Sequence, residues 1–484
     1  MVNKFLEGDY APVNQELTVT ELEVTGSIPG HLDGRYLRNG PNPLSEVDPA
    51  TYHWFTGDGM VHGVRLRDGH AEWYRNRWVR SPRVAEALGE QPRPRNPQAG
   101  MEVLGANTNV ISHAGKTLAL IEAGIATTEL TDELDTVGPC DFDGTLRSGY
   151  TAHPKRDPQT GELHAVSYFF GRGNRVQYSV IDTAGRARRT VDVEVAGSPM
   201  MHDFSLTEKH IVFYDLPVTF DLDQGLETRV PGFLRTPAKL VLSALMGNVR
   251  VPDPVTAMIS RKIGAGGGGG SGFPYRWDPK YPARIGVMPR EGGSADVRWF
   301  EIEPCYVFHP LNAYDDGDKV VLDVVRHERM FDADRLGPSE GGATLDRWTI
   351  DLTRNKVVEE RLDDRTQEFP RVDERLVGRP HRYGYSMATL DGARSSGELL
   401  KHDLRTRRTQ TRSFGEGSQP GEFVFVPSAD DAAEDDGVLM GFVFHAETQR
   451  SDLTLLDAAT LETVAAIHLP QRVPHGFHGN WAPA

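Results

Sequence analysis

The chain has 484 residues, of which 38% are hydrophobic and 25% charged, and its formal net charge is −16. That length suits one large β architecture or two to three ordinary domains, and the acidity excludes a nucleic-acid partner because nothing here neutralises a run of phosphates. Only Cys140 and Cys305 occur, with no CxxC pair, which excludes a disulfide framework, a zinc ribbon and an iron–sulfur cluster and predicts a cytoplasmic setting.

The opening MVNKFLEGDYAPV lacks the apolar run of a secretory signal, and no window approaches about 18 uninterrupted apolar residues, so a soluble protein without a membrane span is expected. In chain order, short runs rich in β-branched and aromatic residues alternate with Asp/Gly turns. Residues 62–67 and 70–75 flank the turn at 68–69. The run 163–170 follows the turn at 157–161, 320–325 follows 315–318, and 437–444 follows the acidic turn at 430–436. This predicts an all-β protein of antiparallel hairpins. A single sandwich would be oversized at this length, and radial repetition handles sheet edges best, so the pattern points to a propeller of roughly six to eight four-stranded blades. WD and kelch signatures are absent.

Residues 233–263 break the β rhythm. Apolar positions such as Leu240, Leu245 and Met258 alternate there with Arg235, Lys239 and Arg250, and Pro237, Pro252 and Pro254 interrupt the pattern. A helical cap on the β body is one expectation. The other is a patch that touches the inner face of a membrane, since cations beside apolar residues favour anionic lipid interfaces. The nearly all-glycine run 264–272 reads either as a natural flexible loop or as an engineered linker, and not as a phosphate-binding loop, because no Lys-Ser/Thr follows it.

Seventeen histidines are available for chemistry. His31 in HLD sits within a Gly/Pro turn. His70, His113, His210 and His402 lie in or near turns and read as exposed. His164, His445 and His468 lie in strand-like runs and read as sheet residues. Four others share a context of small, apolar or aromatic residues followed by a turn-forming residue: His153 in YTAHPKRDP, His202 in SPMMHDFSL, His309 in CYVFHPLNAY and His478 in VPHGFHGNW. The innermost strands of a propeller begin near its axis, so histidines from four blades can meet at one point. No HExxH, GxSxG or Rossmann fingerprint supports a hydrolase or a nicotinamide enzyme.

These segments closely resemble the carotenoid cleavage oxygenase family, most of all its actinobacterial carotenoid-cleaving members. The similarity runs through HLDGRYLRNGPNP, YHWFTGDGMVHG, TAHPKRDP, MMHDFSL, PYRWDP, ARIGVMPR, YVFHPLNAY, EDDGVLMGF and VPHGFHGNWAP, and so spans essentially the full chain. The resemblance implies one oxygenase domain over residues 1–484, folded as a seven-bladed β-propeller with a helical or loop cap over one face. It implies an axial iron(II) held by His153, His202, His309 and His478, with His478 rather than His475 as the terminal ligand, and O₂ as co-substrate. It also implies that Glu122, Glu368 and Glu422 orient three of the histidines. A carboxylate at the second ring nitrogen fixes the tautomer and raises ligand basicity, and a half-buried Glu among apolar neighbours needs such a partner in any case.

By the same resemblance Thr108 lies near the vacant coordination site. Phe55, Phe308, Phe369 and Phe477, each beside a ligand, one of the glutamates or a matching motif, are expected along an apolar substrate tunnel together with Ile121 and Met200, with core packing the alternative for each Phe. Ile121 stands where stilbene- and phenylpropenoid-cleaving relatives carry a lysine for the substrate phenol. The expected substrate is therefore a carotenoid or apocarotenoid, cleaved at one C=C bond to two carbonyl products. A stilbene-cleaving oxygenase, a retinoid-type polyene isomerase and a non-catalytic apocarotenoid-binding propeller are the alternatives. No protein partner is implied.

Overall fold

The computed structural model describes residues 3–102, 104–147, 149–221, 273–334, 340–391 and 394–484. Its strand–turn alternation builds seven antiparallel sheets, the blades of a seven-bladed β-propeller. Blade 1 contains Gly34–Pro41, Gly59–Arg67 and His70–Trp78, flanked by Gly479–Pro483 inside and Thr18–Val19 outside. Blade 2 runs from Asn109–His113 to Thr136–Pro139, blade 3 from Lys155–Arg156 to Ala187–Glu194, and blade 4 from Phe204–Leu206 to Arg298–Glu301. Blade 5 runs from Tyr306–Asp316 to Lys356–Asp363 and blade 6 from Gln367–Arg371 to Arg408–Ser413. In blade 7, Ser418–Pro420 and Val424–Pro427 both pair with Gly437–His445, and Arg450–Asp457, Thr463–His468 and Glu23–Gly26 follow outward. A two-stranded ribbon, Val218–Phe220 with Tyr275–Trp277, accompanies blade 4.

The sequence pattern follows position within a blade. Inner strands are covered on both faces by neighbouring blades, so Lys319–Arg329 buries Val320, Val321, Leu322, Val324 and Val325 in one run. Outer strands have one wet face, and Ala187–Glu194 accordingly alternates exposed and partly covered residues along most of its length. The two ends of the sequence interlock to close the ring. Gly34 to Arg38 pair with Pro483 to Gly479, while Glu23–Gly26 completes blade 7 against Thr463–His468.

Among the described residues the α-helix is Pro82–Ala87, started by the Ser81 hydroxyl accepting from the Val84 N–H. No helix of the described residues is long and apolar enough to cross a membrane. The expected cap and membrane-contact segment 233–263 and the glycine run 264–272 lie outside the described residues.

Three of the four turn histidines differ from expectation. His113 is buried, its Nε2 2.7 Å from the Asp182 carbonyl oxygen. His402 is buried between Gln367, Ser386 and Thr409. Each lies next to a turn in sequence but on the covered face of its strand, a distinction that turn residues alone do not encode. His70 is exposed, and His210 is half-buried against Asp315.

Candidate metal centre

The four histidines come from the inner edges of four blades. His153 and His202 each stand two residues before the innermost strand of blades 3 and 4. His309 lies within Tyr306–Asp316, and His478 immediately precedes Gly479–Pro483. All four are buried, and their ligand atoms lie within 4.8 Å of one another. The other three blades each supply a glutamate: Glu122 just after Lys116–Leu120 in blade 2, Glu368 in Gln367–Arg371 of blade 6, and Glu422 between the inner strands of blade 7.

Local irregularities aim these groups. The pairing of Tyr306–Asp316 with Lys319–Arg329 shifts register between Val307 and Pro310 and again before Asn312, which places His309 on a bulge. A second shift falls between Glu368 and Arg371, with Phe369 at φ 54°. Ala123, beside Glu122, has φ 59°. A phenylalanine in the left-handed region is uncommon and costs roughly 1–3 kcal/mol, so two of the three carboxylates each have a strained backbone neighbour. The His478 N–H donates to the Thr108 carbonyl and its own carbonyl accepts from the Asn39 N–H, each at 3.0 Å. This clamp requires Gly476, because a Cβ there would stand 2.9 Å from the Asn39 carbonyl oxygen and 3.0 Å from Gly40 Cα.

Each glutamate engages one histidine at Nδ1: Glu122 with His202 at 2.7 Å, Glu368 with His309 at 2.6 Å and Glu422 with His478 at 2.9 Å. An ionised carboxylate only accepts, so Nδ1 carries the hydrogen and the Nε2 lone pair faces the centre. His202 Nε2 and His309 Nε2 lie 3.2 Å apart. Two imidazole lone pairs facing each other call for a cation between them, and this spacing suits two ligands each about 2.1 Å from one ion. His153 differs from the other three. Its Nδ1 is 3.7 Å from Asp203 Oδ2, which itself takes the Lys155 ammonium at 2.8 Å, and its buried Nε2 has no hydrogen-bond partner. The donor set therefore fits a divalent metal.

Protonation follows the same geometry. Burial, reinforced by the neighbouring imidazoles, holds His153 well below the usual histidine range. Burial also lowers His309 to about 4, although Glu368 opposes it. At His202 burial is outweighed by the Glu122 carboxylate, and the pKa rises. Burial would raise Glu368, but His309 and His327 outweigh it and keep its carboxyl well below the ordinary value. Glu422, also buried, is brought down to about 2 by Arg371 and His478.

The sequence model described as retinal pigment epithelial membrane protein matches residues 10–483. A carotenoid cleavage oxygenase of Mycobacterium tuberculosis is 60% identical over 494 residues, covering 99% of this chain and 98% of that protein. The chain belongs to the carotenoid cleavage oxygenase family. Two solved members are similar throughout. A lignostilbene dioxygenase of Pseudomonas brassicacearum superposes with a TM-score of 0.82 at 26% identity, covering 100% of both chains. A cobalt-substituted apocarotenoid oxygenase of Synechocystis superposes with a TM-score of 0.78 at 27% identity, covering 98% of this chain and 97% of that one.

In this family member, an apolar cavity of about 120 Å³ reaches the centre at His202, His309 and His478. Phe55, Thr108, Ile121, Phe308, Phe369 and Phe477 all line it. Phe308 stands edge-on to His202 at 5.0 Å, and Phe369 lies 5.7 Å from His309 and 5.5 Å from His478. Met200 is not among the lining residues; it is packed in the core, with its carbonyl accepting from the Tyr306 hydroxyl at 2.7 Å. His475 stays apart from the four, packed against Tyr10 with its Nδ1 3.4 Å from Asp9.

Sequence reasoning missed further lining residues, including Trp54, Tyr168, Phe273 and Tyr275. Tyr275 belongs to the PYRWDP motif, which was the available signal. It also missed His327, whose Nε2 lies 2.9 Å from Glu368 Oε1. A second, polar space of about 540 Å³ touches His153, His309 and His478 and runs past Asn109, Lys155 and Asp203 to the exposed Glu374.

Proposed function

We propose that this protein is an iron(II)-dependent dioxygenase that cleaves one C=C bond of a carotenoid or apocarotenoid. The observation that carries the reading is a centre of four inward-facing imidazoles that opens onto a cavity walled by aromatic and aliphatic side chains. The 60% identity to a carotenoid cleavage oxygenase supports the substrate class. His153, His202, His309 and His478 would hold the metal as four neutral ligands, and Glu122, Glu368 and Glu422 would offset its charge. Imidazole suits several divalent metals, so iron is assigned by the chemistry required. Bound iron(II) supplies the one-electron chemistry that activates O₂, and the balanced outcome places one oxygen atom on each carbon of the broken double bond.

The protein's own residues set the conditions for that outcome. Phe55, Phe308, Phe369 and Phe477 exclude water and hold a flat polyene beside the histidines. The Thr108 hydroxyl donates to Asn107 Oδ1 at 3.0 Å, so its lone pairs are what it offers the cavity. Asn107 is fixed in turn by donating to the Phe55 and Gly57 carbonyls. Ile121 offers no charge to a phenol, which favours a hydrocarbon polyene over a hydroxystilbene. The basic apolar residues 233–263 support peripheral contact with a membrane from which such a substrate is drawn.

Purified protein loaded with iron(II) under ¹⁸O₂ should convert an apocarotenal or β-carotene into two ¹⁸O-labelled carbonyl products. Turnover of resveratrol alone would assign the stilbene activity. Polyene isomerisation without oxygen uptake would overturn the dioxygenase reading.

A further inference from the structure

Glu368 differs from the other two glutamates at the centre in what surrounds its second oxygen. Its Oε2 accepts from His309 Nδ1 at 2.6 Å and from the Phe369 backbone N–H. Its Oε1 lies 2.9 Å from His327 Nε2, and His327 has no solvent exposure at all. In Glu422, by contrast, the second oxygen accepts from the Gly479 backbone N–H at 2.9 Å, and Arg371 stands 3.6 Å from the oxygen that His478 engages. Oε2 of Glu122 is buried with no hydrogen-bond partner.

With a ring nitrogen on each of its oxygens, the Glu368 carboxylate accepts from His309 on one side and from His327 Nε2–H on the other. The two histidines therefore grip opposite oxygens of one carboxylate and leave it a single orientation. His327 is itself held by register: it pairs with Tyr306 on one side and Ala343 on the other, and its ring meets the edge of Phe308 at 5.5 Å. Phe308 in turn stands against His202. One buried imidazole thus touches both the carboxylate that orients His309 and the cavity wall beside His202.

The geometry points to His327 as a positioning residue of the metal centre, fixing the Glu368 carboxylate so that the His309 lone pair is aimed at the ion. This rests on the four-histidine metal reading above. A carboxylate free to rotate would still accept from His309, but over a range of ring angles, and loss of such an outer partner typically weakens metal binding 10–100-fold. A purely space-filling role for His327 predicts no such loss when the volume is kept.

The test measures Co²⁺ binding to the metal-free full-length protein by competition with a chelator, together with the visible absorption of the bound ion. His327→Leu should weaken affinity about tenfold and shift the absorption bands, with wild-type far-UV circular dichroism. His327→Gln, which retains an N–H donor, should restore affinity to within about threefold. Should His327→Leu not fold, His327→Asn takes its place, since its amide is too short to reach Glu368. Wild-type affinity and spectrum in a folded His327→Leu or His327→Asn protein would overturn the inference, as would equal impairment in His327→Gln. Failure of the wild-type protein to bind one Co²⁺ would instead refute the metal reading, and a His309→Ala control distinguishes the two.

Discussion

At the scale of single residues, charge state decides what each histidine can do. Burial lowers His153 and His309 while the Glu122 carboxylate raises His202, and the carboxylates choose which nitrogen carries the hydrogen. Buried histidines away from the metal centre report the same physics through stability. His164 and His402 are each lowered to about 4 by burial, against 6.5 when unfolded. Between those values the unfolded chain binds protons that the folded one refuses. The stability they contribute is therefore fully present above pH 6.5 and is lost as pH falls through 4, with a limiting slope of about 1.4 kcal/mol per pH unit per group. Urea unfolding of the protein from pH 7.5 to 5 should show this decline, and His402→Gln should flatten it by roughly one proton's worth. Ile121 carries the clearest substrate prediction at this scale: Ile121→Lys should lower kcat/KM for an apocarotenal at least tenfold, because an unpaired ammonium in an apolar channel is costly. An unchanged value would remove Ile121 from the substrate path.

Strands and turns supply the aim. Here the sequence was informative about element type but blind to register. Runs such as 320–325 and 437–444 announce themselves as strands by composition, and in each of the four histidine contexts a Pro, Asp or Gly follows the side chain. Nothing in YVFHPLNAY reveals that the pairing slips on either side of Pro310, or in QEFPR that Phe369 takes φ 54°. Those irregularities depend on the partner strand, which only the fold provides. His327 was illegible for the same reason: a histidine in an otherwise ordinary β run gains its meaning from Glu368 on a different blade. The burial of His113 and His402 likewise depends on which face of a blade is covered. The close passage at Gly476 is equally a matter of element geometry. Gly476→Ala should displace the His478 turn and lower metal content by at least half, measured by elemental analysis of folded protein; full occupancy would refute the clamp.

For the whole molecule, the propeller solves a problem of distance. Glu122 and His478 are far apart in sequence, yet radial repetition returns every blade's inner edge to the same axis. The seven-bladed architecture was visible in the full-length motif resemblance, whereas composition alone indicated only a propeller of six to eight blades. Closure by Gly479–Pro483 against Gly34–Pro41 holds blade 1 to the rest. Removal of residues 479–484 should lower the thermal midpoint by more than 10 °C or abolish cooperative unfolding, as followed by calorimetry, because a ring with an open seam loses its interlocking pairs. A truncated protein with wild-type melting would show that the other blade interfaces suffice.

Every blade gives the four-histidine centre either a ligand histidine or an orienting glutamate, the histidines from blades 1, 3, 4 and 5 and the glutamates from blades 2, 6 and 7. During synthesis the chain therefore spends most of its time on the ribosome with an incomplete set. His478 and the seam-closing strand are the last parts of the propeller to be made, so three imidazoles wait for the fourth. A translation product interrupted anywhere before that point lacks a ligand, and it also lacks the strand that would have closed around one. The four-histidine set is therefore complete only once the propeller is whole, and a half-made protein has no such centre.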